Sequence, residues 1–251
     1  MNLFRIRGIM LAVHFTFFAL LAANAFAGWA EEGWLGAFWY SAILLAFFTC
    51  VVLHELGHCF TAMHYGIGVR RILLLPIGGM AEFDSIPREP RREFLITLAG
   101  PAVNFVIAGL LWLALPAGPS VEAEAMTLAD FGHLLMRWNL LMGVFNFLPA
   151  FPMDGGRILR AALATRLNYV RATFWAATVG KVTCVLGIGI GVAVYHEPML
   201  AVLFAFIGVV GEMEYRAVRR RALEEEHWRA TTARFTTVAE PPLLVRTGSD
   251  T

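Results

Sequence analysis

The chain has 251 residues, 58% of them hydrophobic and 16% charged, with a formal net charge of +1. A water-soluble domain carries about 25% charged residues, so this shortfall, spread over apolar runs of roughly 18–22 residues, excludes an ordinary soluble enzyme and indicates an integral α-helical membrane protein. The near-neutral balance gives no ground for a nucleic-acid partner, and the three cysteines, Cys50, Cys59 and Cys184, lie in apolar runs without disulfide or metal spacing and read as packing residues.

Six membrane spans are predicted, at about 9–27, 35–60, 93–115, 133–150, 173–195 and 198–215. The first follows Arg5 and Arg7 and ends in Ala25-Phe26-Ala27 before Gly28. That pattern also fits a cleaved signal peptide; the run is long for one, and cleavage would leave five spans in the same orientation. The second span contains His54-Glu55-Leu56-Gly57-His58. After it, residues 67–83 hold two short apolar stretches around Pro76 and Gly78-Gly79, which predict a β-hairpin near the membrane surface. Its exposed edge could pair with an extended peptide; the plain alternative is an interfacial loop with no substrate role. The segment at 116–132 carries Glu122, Glu124 and Asp130, and the fourth span runs into Phe147-Leu-Pro-Ala-Phe-Pro-Met-Asp154-Gly-Gly-Arg157.

Basic residues mark alternate connections: Arg5 and Arg7, then Arg70, Arg71, Arg88, Arg91 and Arg92, then Arg157, Arg160, Arg166 and Arg171, and finally Arg216 and Arg219 to Arg221. The positive-inside rule therefore puts both termini in the cytoplasm. Trp29, Trp34, Trp39, Trp112 and Trp138 fall near the predicted outer ends, as an interfacial belt does. The fold class is thus an all-α membrane protein of about six transmembrane helices with one short hairpin between spans two and three. The membrane core covers 1–221, and a cytoplasmic tail, 222–251, opens with a charged helix-like stretch and ends past Pro241-Pro242.

The chemistry is concentrated in the second span. Residues four apart on a helix share a face, so His54 and His58 can bind one metal ion. Glu55 then lies beside it, where a carboxylate can take a proton from water activated by the metal. Ionisable groups are costly at membrane depth and call for a function. A catalytic zinc site needs a third protein ligand, and the strongest candidate is Asp154. Pro149, Pro152 and Gly155-Gly156 break the helix around it, and a broken helix at this depth is tolerated only where it is buried or lines a wet cavity. From Leu35 to His54 the helix rises about 28 Å, which puts the pair toward the cytoplasmic side.

With those motifs in hand, the sequence resembles the site-2 protease family of intramembrane zinc metalloproteases. Val13-His14-Phe15-Thr16, Ile77-Gly78-Gly79-Met80-Ala81 and Ala99-Gly100-Pro101-Ala102-Val103-Asn104 match further family patterns. The resemblance covers about residues 5–215 and implies one zinc ion per chain held by His54, His58 and Asp154, with Glu55 as general base. It implies a substrate-binding or oxyanion role for Asn146, and a substrate role for the Gly78-Gly79 hairpin. It also implies membrane-tethered or single-span protein substrates, regulatory membrane proteins as further partners, and a bacterial or archaeal cell membrane. The segment at 116–132 is too short for the PDZ insertion of many members, and the tail is too short for their CBS modules.

Two rival classes are a membrane metal transporter and a catalytically silent homologue that escorts membrane proteins. A transporter needs ligands relayed across the membrane, whereas the outer halves of these spans are almost free of ionisable groups. Retention of all four reactive residues argues against the silent homologue. Among the remaining polar residues, His14 reads as a local polar contact and Asn104 as either a functional group or a helix-packing hydrogen-bonder. His64 is off the ligand face, Glu212 and Glu214 pair with Arg216, and Lys181, the one lysine, snorkels toward the inner surface.

Overall fold

The computed structural model describes residues 1–76, 78–85, 88–116 and 126–238, with side chains through Thr232. Ile77, Glu122, Glu124 and the Pro241-Pro242 end of the tail lie outside the described residues. Strands β1 (Asn2–Ile6) and β2 (Ile9–Val13) lead into helix α1 (Phe15–His64), followed by β3 (Val69–Leu75) and β4 (Gly78–Phe83). Then come α2 (Pro90–Ala114), α3 (Leu128–Asn146), the short α4 (Asp154–Ala164), α5 (Tyr169–Ala193) and α6 (Pro198–Val238).

At 50 residues α1 is too long for a single span, and it folds back on itself. Glu32 and Gly33 leave helical geometry, with Gly33 at φ 66° in the region that favours glycine. The arms then run antiparallel. Phe17 meets Phe48 edge-on at 4.8 Å, and the Asn24 amide donates to the Tyr40 carbonyl at 2.8 Å. Gly28 and Gly36 touch backbone to backbone, so close that a Cβ on either would strike the other's carbonyl. The second arm, ending at His64, carries the His54-Glu55-Leu56-Gly57-His58 motif.

Among the described residues, four helices are long and apolar enough to cross a membrane: α1, α2, α5 and α6. The first two expected spans are the arms of α1. Helix α3 is not among the four, since its 19 residues include Asp130, His133, Arg137, Asn139 and Asn146. The outward faces are rich in large apolar side chains, among them Phe26, Val106, Leu110, Leu113 and Val185, as suits a protein whose surroundings are lipid. Helix α6 continues unbroken through residue 221. The Arg88 guanidinium, in the segment after β4, grips the Glu225 carboxylate on its extension.

The predicted hairpin is present, with β3 and β4 antiparallel and Leu75 opposite Gly78. Across it Arg71 bonds Glu82 at 2.7 Å and holds the Glu82 carboxyl below its ordinary range. The expectation of a hairpin alone is corrected: among the described residues the sheet has four strands, in the order β1-β2-β3-β4. Residues 9–13, expected to begin the first span, form β2, which pairs in parallel with β3 from Met10 opposite Arg71 to Val13 opposite Leu74. A short apolar run fits either a strand or a buried helix, and pairing with β3, which arrives more than fifty residues later, decides it. The sheet packs on the second arm through Ile9, Leu11, Val13, Ile72 and Leu74 against Phe48, Val51, Leu56 and Cys59.

The tight turn of α1 yields a test. Leucine at Gly36 must push the arms apart, and overpacking of this kind costs about 1–3 kcal/mol. Gly36→Leu should lower the thermal midpoint in detergent, whereas Gly109→Leu, where a Cβ meets nothing within 4 Å, should leave it near wild type.

Candidate metal centre

His54 and His58 stand one turn apart on the second arm of α1, with their Nε2 atoms 3.1 Å from each other. Asp154 opens α4 and turns Oδ2 to within 3.2 Å of His54 Nε2 and 3.3 Å of His58 Nε2. All three side chains are buried. They form the group of metal-ligating side chains found among the described residues, and it is the set expected from the motifs.

The other ring nitrogens explain what the trio can do. His54 Nδ1 bonds Asn104 Oδ1 at 2.6 Å, and His58 Nδ1 bonds the Ile96 carbonyl at 2.8 Å. The Asn104 amide nitrogen is committed to Asn139 Oδ1 at 2.9 Å, which leaves its oxygen for the histidine. Asn139 donates in turn to the Leu135 carbonyl and to Cys50 Sγ. Nδ1 therefore donates in both histidines, and in the neutral rings each Nε2 points a lone pair at the carboxylate. In that form no hydrogen lies between the three, and Asp154 Oδ2 is buried without a hydrogen-bond partner among the described residues. Three lone-pair donors forced together in a low-dielectric site repel unless a cation joins them. A tetrahedral zinc ion with bonds of about 2.0–2.1 Å has ligand–ligand edges of about 3.3–3.4 Å, close to the spacing here, and needs oriented imidazoles of this kind.

Close backbone approach makes room for the cluster. A Cβ on Gly100 of α2 would collide with the Nε2 atoms of both His58 and His54. At Gly57 a Cβ would lie 2.7 Å from the Ala99 carbonyl, so α1 meets the backbone of α2 where α1 lacks a side chain. Gly155 and Gly156, at the start of α4, pack against the backbone of residues 147–151, which returns over them to deliver Asp154. On the opposite side, β4 lies on Glu55, where a Cβ on Gly79 would be 2.7 Å from Glu55 Cγ. Gly78 has φ 139°. With β3 as its one strand neighbour among the described residues, β4 is an edge of the sheet, so Gly78 and Gly79 start that edge beside Glu55.

Asn146 is not drawn into the cluster. Its amide donates to the Met142 carbonyl one turn back in α3, at 3.1 Å. His14 caps α1, its Nδ1 bonding Thr16, and Lys181 pairs with Glu212 at 2.6 Å. Sequence reasoning missed the orienting role of Asn104, and it missed Asn139 altogether. It counted Arg160 only as one of the cytoplasmic-side bases, whereas Arg160 is buried and paired with Glu93 and with Glu214, which was expected beside Arg216. The usable signal was polar side chains within apolar helices, but only the tertiary contacts show which of them face the histidines.

The family model of Peptidase family M50 matches residues 42–129 and 116–187, a stretch that contains the cluster and its orienting groups. The chain is 38% identical over 218 residues to a zinc metalloprotease of Methanocaldococcus jannaschii, which covers 86% of this chain and 61% of the relative. It is 35% identical over 164 residues to the putative zinc metalloprotease Rip3 of Mycobacterium tuberculosis, covering 63% of this chain and 41% of that one. The chain thus spans about two-fifths to three-fifths of the length of these curated relatives. Among solved structures, the site-2 protease from Methanocaldococcus jannaschii matches with a TM-score of 0.61 at 34% identity, over 86% of this chain and 94% of that chain.

The orienting bonds carry a measurable consequence. Asn104→Ala frees the His54 ring, and loss of such a partner weakens metal affinity by about 10–100-fold. Gly100→Ala should cost more, because its methyl group occupies the space of the imidazoles. Equilibrium competition with a chromophoric zinc chelator measures both.

Proposed function

Because the chain belongs to peptidase family M50, the site-2 protease family of zinc metalloproteases, we propose that it hydrolyses peptide bonds in or near the transmembrane segments of membrane-tethered or single-span proteins. In this reading His54, His58 and Asp154 hold one zinc ion and Glu55 is the general base. One observation carries it: two oriented imidazole lone pairs and a buried carboxylate oxygen converge next to a glutamate that lies under a free strand edge.

Zinc held there supplies a Lewis acid toward the scissile carbonyl and lowers the pKa of water to about 7. The protein supplies the rest. A substrate helix keeps its carbonyls bonded and must unwind locally, and the extended segment then pairs with the edge of β4. Gly79 keeps that edge against Glu55, so the paired peptide arrives beside the base. Glu55 takes a proton from the water whose oxygen bonds the scissile carbon. As the carbon–nitrogen bond breaks, Glu55 returns the proton to the leaving amine, which gives a carboxylate and a free amine. Asn146, at the end of α3, has a second amide hydrogen with which to bond substrate backbone or the developing oxyanion.

The same proposal fixes the placement in the membrane. The proposed spans are the two arms of α1 together with α2, α3, α5 and α6, with the polar Asn139 of α3 buried against Asn104 of α2, and both termini are cytoplasmic by the distribution of arginine. The catalytic core is residues 1–221. Residues 222–238 continue α6, and the proposed tail, 222–251, lies in the cytoplasm. Archaeal and bacterial relatives support a cell membrane of that kind. Regulatory membrane proteins are the expected further partners. A relay of metal across the bilayer finds no second ligand cluster among the described residues.

Purified full-length chain in detergent, assayed for zinc content and for cleavage of membrane-tethered reporter helices, tests the reading. Glu55→Gln should keep about one zinc per chain and lose activity by at least about 10²–10⁴-fold. Asp154→Ala should lose zinc and activity together. Cleavage by Glu55→Gln at the wild-type rate would remove Glu55 from the mechanism, and full zinc content in Asp154→Ala would remove Asp154 from the ligand set.

A further inference from the structure

Arg160 is 1% exposed and Glu93 fully buried. The Arg160 guanidinium bonds Glu93 Oε1 through Nε at 2.9 Å and Nη2 at 2.5 Å, and its Nη1 reaches Glu214 of α6 at 3.0 Å. The same group lies 5.0 Å over the ring of Phe151 and 5.0 Å over that of Tyr169. Glu93 Oε2 is buried with no partner. A buried ion pair of this type gains little net stability, because desolvation of both charges offsets their attraction. Its value lies in fixing one arrangement, and the residues around it show which arrangement that is.

Helix α2 carries the counter-charge Glu93 and also the groups that aim both histidines: the Ile96 carbonyl one turn on, and Asn104. Helix α4 carries Arg160 and, at its first residue, Asp154. Phe151, under the guanidinium, belongs to the segment that leads into Asp154. Helix α1, which carries the histidines, and α4 both pack on α2, so the seating of α4 on α2 sets where Asp154 meets them, and a single guanidinium ties α4, the segment before it, α5 and α6 to the first turn of α2. We propose that Arg160 is a positioning residue of the metal centre, holding Asp154 in register with His54 and His58 through Glu93. The inference rests on the reading of these three residues as zinc ligands.

The test measures zinc affinity and zinc-free stability separately, on full-length protein in detergent. Arg160→Met alone strands the Glu93 charge, so it is combined with Glu93→Gln, which removes both charges at similar volume. The double variant should unfold, without zinc, within a few degrees of wild type, yet bind zinc at least about tenfold more weakly, the loss typical of removing an outer support of a metal ligand. Arg160→Lys keeps the charge against Glu93 but loses the planar fork, and it should fall between wild type and the double variant in zinc affinity. Asp154→Ala is the control for the underlying reading. If it binds zinc as wild type does, the ligand assignment fails and the inference with it. If it loses zinc while the folded double variant keeps wild-type affinity, the inference alone is overturned. Should the double variant not fold, Arg160→Lys decides: weakened zinc binding with unchanged zinc-free stability upholds the positioning role, and wild-type affinity ends it.

Discussion

Three electron-pair donors, two imidazole nitrogens of neutral rings and one carboxylate oxygen, are held within 3.1–3.3 Å of one another. Left alone they repel, and much of the structure is arranged to keep them together. The Nδ1 bonds to Asn104 and Ile96 settle the tautomers, so the lone pairs cannot turn away. The Asn104–Asn139–Cys50 chain settles the amide of Asn104. The cost of this convergence is met by the ion that it selects, which is why a metal centre and its orienting bonds form one unit.

The second constraint is distance between backbones. Hydrophobic burial supplies little drive for helix association in lipid, so helices meet through small residues and polar bonds. Here those contacts are concentrated around the centre: Gly57 against Ala99, Gly100 under the imidazoles, Gly155 and Gly156 beneath the returning segment, and Gly79 on Glu55. Each lets a main chain stand where a side chain would otherwise be, and together they bring α1, α2, α4 and β4 to one point. The folded-back α1 serves the same end, since it leaves the sheet on one side of the motif arm and α2 on the other.

The sheet gives this membrane protein an unusual resource at the site itself. An edge strand presents unpaired backbone donors and acceptors that soluble proteins take care to protect. A substrate that has left its helix has the same groups to satisfy, and in a lipid surrounding it has few other ways to satisfy them. In the proposed reading, an edge placed against Glu55 would join recognition of an unwound segment to its hydrolysis, without demanding a particular side-chain sequence.

The sequence by itself determined the solvent, the ligand types and their spacing on the chain. Hydropathy requires lipid around the helices, the four-residue interval of His54 and His58 is a property of any α-helix, and the Pro149–Gly156 break marks where Asp154 can turn inward. The β3–β4 hairpin was legible for the same reason, because its turn chemistry is local. Residues 9–13 were not, since a short apolar run is silent about its partner and becomes a strand only when β3 arrives beside it. Asn104 and Asn139 were ambiguous, because an amide in a membrane helix looks alike whether it joins two helices or aims a ligand. The burial of Arg160 was not legible, because charge along a chain indicates a side of the membrane, whereas burial depends on the counter-charge Glu93, 67 positions away. Local pattern carries residue type and period, but contact between distant residues is decided only when the backbones have packed.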